Sequence, residues 1–443
     1  MAMTALETFG EFVARPSPMA ADVRDLLRLH VADTVAAWVA AGRTAEARQL
    51  LSHRDRLRGD HLGASVDVIV NCALARSSEV DDIHIASMIT PGSIGVPAAL
   101  SIAALRPDTD AATLNAAMVV GYEAMIRFGL AVNGAVISGR GIWPTYFGAA
   151  FGVAAVASKL LELDATQTAH ALGIALTQSA PGVGLQNTST TSRWLAAGVA
   201  ARNGLQAAYA ASSGFTSDLG LFEGRFFPGI YHIEPEVAAL TDKLGKREIL
   251  REVSFKPWSA ARQSMAATQA FKEILATVDV AQIEAIEVKV LPLFLRILDH
   301  GVTDEDRMSR LTSMPYQLAI AALEPDAAFD VGQAGAISLA LRAFMSKVKV
   351  AADEGLMRDF PVKWHAEVRV RAAGAWHVRA VADVPGDPSR PFDEAAIREK
   401  CRRLSAHAIG DDACEALMSD ALGVVDGRVA PSLLLSRIEA ARG

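Results

Sequence analysis

Apolar side chains recur at helical spacing through most of the first half of the chain. From Asp22 to Ala41 the run DVRDLLRLHVADTVAAWVAA puts them three and four positions apart, with Gly42 placed as a helix C-cap. The same period predicts helices over about 45–57, 62–77, 95–105, 109–132, 145–162, 165–178, 193–212 and 233–245. Strand-like alternation is scarce here. An all-α domain with helices packed face to face is the expected result.

The texture changes near residue 250. Residues 282–291 (QIEAIEVKVL) alternate apolar and polar as a half-buried strand does, and 362–384 reads as a hairpin around Gly374. Helices are expected between them at 313–324 and 335–346. The turn formers V-P-G-D-P-S-R-P at 384–391 make a connector, after which 393–406 and 411–421 return to amphipathic helix. The expected fold is therefore mainly α: a large helical domain of residues 1–265, completed by 398–443, with a smaller α+β domain of 266–397 inserted.

Composition sharpens this picture. At 443 residues the chain has room for two domains, and its 51% hydrophobic content is largely alanine, which favours closely packed helices. The most apolar stretch, 146–157, stops at Ser158 and Lys159, short of the roughly 20 residues of a bilayer span. No membrane segment is expected, and the N-terminus lacks a basic start followed by an apolar run. Cys72, Cys401 and Cys414 share no motif spacing and cannot all pair, as in reduced cytoplasmic proteins. A net charge of −7 offers no basic stripe for nucleic acid.

Candidate chemistry begins at 79–101, EVDDIHIASMITPGSIGVPAALS. Glu79, Asp81, Asp82 and His84 fall within six positions, ahead of a Thr-Pro-Gly-Ser turn and an apolar helix start whose free N–H groups suit an anion. Such a cluster also fits a solvated surface loop. A histidine between acids would have its cationic form favoured. No H-E-x-x-H, paired C-x-x-C or G-x-G-x-x-G motif occurs in the required context, so neither metal nor organic cofactor is expected.

The run D-D-I-H-I-A-S-M-I-T-P-G-S resembles the D-D-T-H…H-P-G stretch of the MmgE/PrpD family, which includes 2-methylcitrate dehydratase, cis-aconitate decarboxylase and iminodisuccinate epimerase. Further landmarks follow in the family's order: H-V-A-D-T-V-A-A-W at 30–38, G-Y-E at 121, S-K-L-L-E-L-D at 158–164, G-F-T at 214, L-F-E-G at 221, K-P-W at 256–258 and P-G-D-P at 385. The resemblance implies a homodimer with an α+β lid over the helical domain and the active site between them. It implies cofactor-independent removal or delivery of a proton next to a carboxylate, which requires fixed cations and a base in reach.

Carried over residue by residue, the resemblance implies Lys256 as acid/base or oxyanion stabiliser, His84 with Asp82 in proton transfer and a hydroxyl from Tyr316. Arg193, at a family lysine position, and Arg262 become carboxylate anchors, since a guanidinium binds bidentately and stays charged. Thr90, Trp143, Asp81 and Glu79 complete the expected substrate-binding set. Three catalytic positions depart from the pattern: Thr90 and Trp143 stand where the family has histidines, and Glu79 where it has aspartate; Ile83 also replaces the family's usual threonine. Trp143 is a donor only and transfers no proton at neutral pH, while Trp143 and Ile83 make for a drier, bulkier pocket. The expected activity is that of a divergent lyase or isomerase on a small to medium carboxylate bearing a ring or an alkyl group. A non-catalytic binding protein and a structural partner of another enzyme remain open readings.

Overall fold

Local sequence explains where the helices begin. In Ala5–Ala14 and Ala165–Thr177 a capping box closes the first turn, Thr4 with Glu7 and Asp164 with Gln167, and Asp110 caps Ala111–Ala131 through the Thr113 N–H. The computed structural model describes residues 2–16, 18–59, 65–180, 182, 190–333 and 335–442. They fall into two compact units, one of residues 1–184, 191–254 and 393–443, the other of 185–190 and 255–392. The fold is mainly α, with a smaller α+β unit inserted.

In the larger unit two helices are apolar on nearly every side and therefore occupy its centre. Gly92–Ala103 is buried at every position, and Pro144–Leu160 at all but Lys159. Around them pack Ala21–Ala41, Ser65–Ser77, Ala111–Ala131 and Ser192–Ser212, and Phe9, Phe128, Phe147, Phe151, Phe222 and Phe227 fill one end of the core. Of the expected helix 62–77, residues 62–64 lie outside the described set. The helix expected over 233–245 is reduced to one turn, Ala238–Thr241, behind a π-helical turn at Phe227–Tyr231. Gly42 keeps right-handed helical angles and is no left-handed cap; a Cβ there would lie 2.8 Å from Cγ of Arg442, so its glycine lets helix Pro431–Arg442 approach.

The smaller unit holds a four-stranded sheet in the order β2-β1-β3-β4, with β1 Ile283–Val290, β2 Val348–Ala352, β3 Ala366–Ala372 and β4 Ala375–Val381. The expected strand and hairpin are present. Ala373 and Gly374 both take positive φ, as a two-residue hairpin turn requires. Missing from the sequence reading is β2, a short, largely exposed edge strand parallel to β1. Ile286, Val288 and Val290 of β1 alternate inward with Val368 and Val370 of β3, and helix Arg262–Leu275 packs on the sheet. The helix expected from 335 begins at Leu339, where Ser338 caps it through the Leu341 N–H. Among the described residues no helix is long and apolar enough to cross a membrane.

Candidate active site

The 79–92 stretch is no solvated loop: Glu79, Asp81, Asp82, His84 and Thr90 are all buried. Charges in such a place persist only when paired or hydrogen-bonded, and each acid here has a partner. Asp82 accepts from Tyr122 Oη at 2.7 Å, from His30 Nδ1 at 2.8 Å and from the Gly92 N–H at 2.9 Å. Burial, reinforced by Asp82, keeps the Tyr122 hydroxyl protonated well beyond its ordinary range. Gly92 is required by this approach, because a Cβ on it would lie 2.7 Å from Asp82, Thr34 and Tyr122 oxygens alike. Three donors thus converge on one carboxylate, which ties His30 and Tyr122 to the start of helix Gly92–Ala103.

A second buried pair supports the same stretch. Lys400, on helix Glu394–Ile409, meets Asp33 and donates to the Val80 carbonyl at 3.0 Å. Burial lifts the Asp33 carboxyl to about 6 even with Lys400 beside it, and the nearby Asp82 adds to the rise. Glu79 and Asp81 are answered by Arg76, whose Nη1 lies 3.1 Å from Glu79 Oε1 and 3.3 Å from Asp81 Oδ1.

Arg76 also begins an aromatic box. Its guanidinium sits 5.9 Å from the Tyr146 ring and 5.7 Å from the Trp194 ring. Arg193, equally buried, lies 4.6 Å over Trp143 and 5.5 Å from Trp194, while Trp143 and Tyr146 stack at 5.7 Å with their planes 13° apart. Helix starts position these groups: Trp143 precedes Pro144–Leu160 and Arg193 opens Ser192–Ser212. Burial pushes the Tyr146 hydroxyl up to about 12 despite both arginines, so it remains a donor. Among the described residues, the Trp143 indole N–H and the Tyr146 hydroxyl have no hydrogen-bond partner. Thr90 is bound through its N–H and hydroxyl, at 3.0 and 3.1 Å, to Oγ1 of Thr145, which lies between Trp143 and Tyr146 in the chain.

His84 departs from expectation. Its Nδ1 accepts from the Ser87 N–H at 3.2 Å and lies 2.8 Å from Ser87 Oγ, leaving Nε2 to carry the hydrogen toward Glu252 at 3.5 Å. Burial lowers its pKa, so the cation is disfavoured where the cluster of acids had suggested the reverse. Arg76 answers Glu79 and Asp81, and three buried donors answer Asp82, before these acids reach the imidazole. Burial would raise Glu252, yet His84 and a two-pronged contact from Arg247, at 2.6 and 2.7 Å, hold it down at about 2.

The smaller unit contains the other three candidates. Lys256 and Tyr316 are buried, and burial raises the Tyr316 hydroxyl, with Arg310 partly opposing. Arg262 meets an acid of its own unit: Nη2 lies 2.8 and 3.0 Å from the two oxygens of Asp387, which also accepts the Val384 N–H at 2.7 Å. The P-G-D-P connector is thus tied to the start of helix Arg262–Leu275. Its guanidinium also sits 5.9 Å from the Trp364 ring.

His30, Asp33, Arg76, Tyr122, Tyr146 and Lys400 were not singled out from the sequence. A signal existed for the first two: in H-V-A-D-T, His30, Asp33 and Thr34 share one stripe of an otherwise apolar helix, where polar groups need buried partners. Among the described residues no group of three or more His, Cys, Asp or Glu side chains is gathered as metal ligands.

Comparison with known proteins supplies the lineage. Cis-aconitate decarboxylase-like protein oryM of Aspergillus oryzae is 32% identical over 170 residues, 36% of this chain and 34% of that protein. Cis-aconitate decarboxylase of Aspergillus terreus is 31% identical over 173 residues, 37% of this chain and 34% of that protein. The chain therefore spans about a third of the length of these relatives. The MmgE/PrpD N-terminal domain matches residues 7–233 and the MmgE/PrpD C-terminal domain residues 258–423. With most of its length accounted for by those two domains, in that order, this chain belongs to the MmgE/PrpD family.

Proposed function

We propose that the protein is a cofactor-independent lyase or isomerase that moves a proton next to a carboxylate of a small to medium anionic substrate. The observation that carries this reading is the box around Arg193. A desolvated guanidinium over Trp143, beside an indole N–H and a Tyr146 hydroxyl with no other hydrogen bond among the described residues, suits an anionic oxygen. Stacking uses the guanidinium face, and its in-plane N–H fork is the part that recognises a carboxylate. The Trp143 and Trp194 rings supply an apolar flank for an alkyl group or a ring.

In this reading Arg193 anchors, Lys256 serves as acid/base or oxyanion stabiliser, and neutral His84 is able to accept a proton. Asp82 and Thr90 hold the loop that carries His84. The relatives named as cis-aconitate decarboxylases suggest a lyase; Trp143 and Thr90, where the family has histidines, argue for a different substrate. The test is turnover of a panel of unsaturated and hydroxylated carboxylates in D₂O, comparing wild type with Lys256→Ala and Arg193→Ala. Deuterium in recovered substrate or product, lost in both variants, is the expected result. A non-catalytic binding protein, favoured by Trp143's inability to move a proton, would show thermal stabilisation by a carboxylate without turnover or exchange. Equal activity of wild type and Lys256→Ala removes Lys256 from the mechanism.

A further inference from the structure

A cleft of about 760 Å³ lies among helices Ala21–Ala41, Glu394–Ile409, Asp411–Val425 and Pro431–Arg442. Its walls are mostly aliphatic, from Ala408, Ile409, Ala413, Ala416, Leu417 and Ala440. The volume falls within the roughly 300–1,000 Å³ range of small-molecule sites. None of the residues assigned to the carboxylate site lines it, so it is a separate feature.

Four polar side chains bear on its chemical preference. Arg437 is balanced by Asp420 and contributes no net charge. Arg43 directs Nη2 at the Leu404 carbonyl, a neutral acceptor. Arg442 lies 5.6 Å from the Trp38 ring, and among the described residues its Nε and Nη1 have no hydrogen-bond partner. Burial lowers its pKa only to about 10, which leaves it cationic at neutral pH. Ser405 is 1% exposed, lines the cleft, and its hydroxyl has no partner among the described residues. A buried hydroxyl and a largely desolvated guanidinium are costly unless a ligand completes their hydrogen bonds.

We infer that this cleft binds a straight-chain aliphatic carboxylate, with the head group at Arg442 and Ser405 and the hydrocarbon chain along the alanine-lined wall. A phosphate or other compact anion would use the arginine and leave the aliphatic lining unused. A neutral lipid would do the opposite. A carboxylate on a hydrocarbon tail uses both, since a guanidinium takes it through two parallel N–H bonds and each methylene gains from leaving water.

The test is calorimetric titration of the full chain with hexanoate, octanoate, decanoate and dodecanoate, each below its micellar concentration. Binding should be one to one and should tighten by up to about fourfold per added methylene. Arg442→Gln should weaken dodecanoate at least tenfold, and Ala413→Phe, which fills the cleft, should remove the heat; if that variant does not fold, Ala440→Leu replaces it. Arg193→Ala should leave binding unchanged, so failure here and failure of the proposed activity are separate results. Equal binding of dodecanol, affinity independent of chain length, or insensitivity to Arg442→Gln would overturn the inference. So would a fall in molar mass on Ala413→Phe without dodecanoate heat in wild type, because a second copy of the chain then covers the cleft.

Discussion

Removing Lys400 tests whether the buried pair with Asp33 holds the 79–82 stretch in place. Both side chains are almost wholly buried, and Lys400 also donates to the Val80 carbonyl. In the wild type the Asp33 carboxyl is raised from an unfolded value near 3.8 to about 6. A carboxyl raised in this way favours folding at low pH, and that contribution is lost as pH climbs from about 4 to 6; above 6 Asp33 is ionised in both states and the loss stops. Lys400→Met takes away the cation that keeps Asp33 ionised. Its carboxyl then stays protonated in the folded state to higher pH, and the loss continues by about 1.4 kcal/mol per pH unit above 6. Added to this is a pH-independent part of about 1–3 kcal/mol for the orphaned Val80 carbonyl. The deficit against wild type should therefore be small and flat between pH 5 and 6, then grow by about 1.4 kcal/mol from pH 6 to 7 and again from 7 to 8. Urea unfolding followed by the intrinsic fluorescence of the six tryptophans, at each of the four pH values, measures it. Asp33→Asn combined with Lys400→Met should abolish the growth of the deficit above pH 6, because no carboxyl is then left there to stay protonated. A deficit that is constant from pH 5 to 8, or that grows toward acid, refutes the pairing.

Three further outcomes follow from the same geometry. Tyr122→Phe strips one donor from the Asp82 carboxylate and should cost about 1.5–3 kcal/mol in denaturant unfolding; a cost under 0.5 would mean that the hydroxyl is not bonded there. Gly92→Ala puts a methyl group 2.7 Å from three oxygens and should cost about 1–3 kcal/mol, with loss of the slow hydrogen exchange expected of the Gly92 amide. His84, whose pKa is lowered by burial, contributes stability that is complete above the unfolded value near 6.5 and is lost as pH falls toward the folded one. The melting-temperature gap between wild type and His84→Gln should accordingly narrow from pH 8 to 5.5, and a widening gap would show that the imidazolium is stabilised instead.

Much of the fold was legible because helices and strands are local objects. The 3.6-residue period of Asp22–Ala41, the alternation of QIEAIEVKVL and the turn at Gly374 each state their own geometry within a few residues, and the structure repeats them. Elements failed where local pattern was weak. Strand β2 is five residues long on an open edge, and 233–245 held helical spacing without enough packing to sustain more than a turn.

The chemistry divides along the same line. Which residue types were available, a cluster of acids with a histidine, arginines on helix starts and a tryptophan at 143, was determined by the sequence alone. Which charge answers which was decided by the tertiary structure. Arg76 and the donors gathered on Asp82 answer the acids that were expected to charge His84, and Lys400 reaches Asp33 from 367 positions away. A pKa depends on what lies within a few ångströms and on how much water is excluded, and neither distance nor dielectric is written in the order of residues.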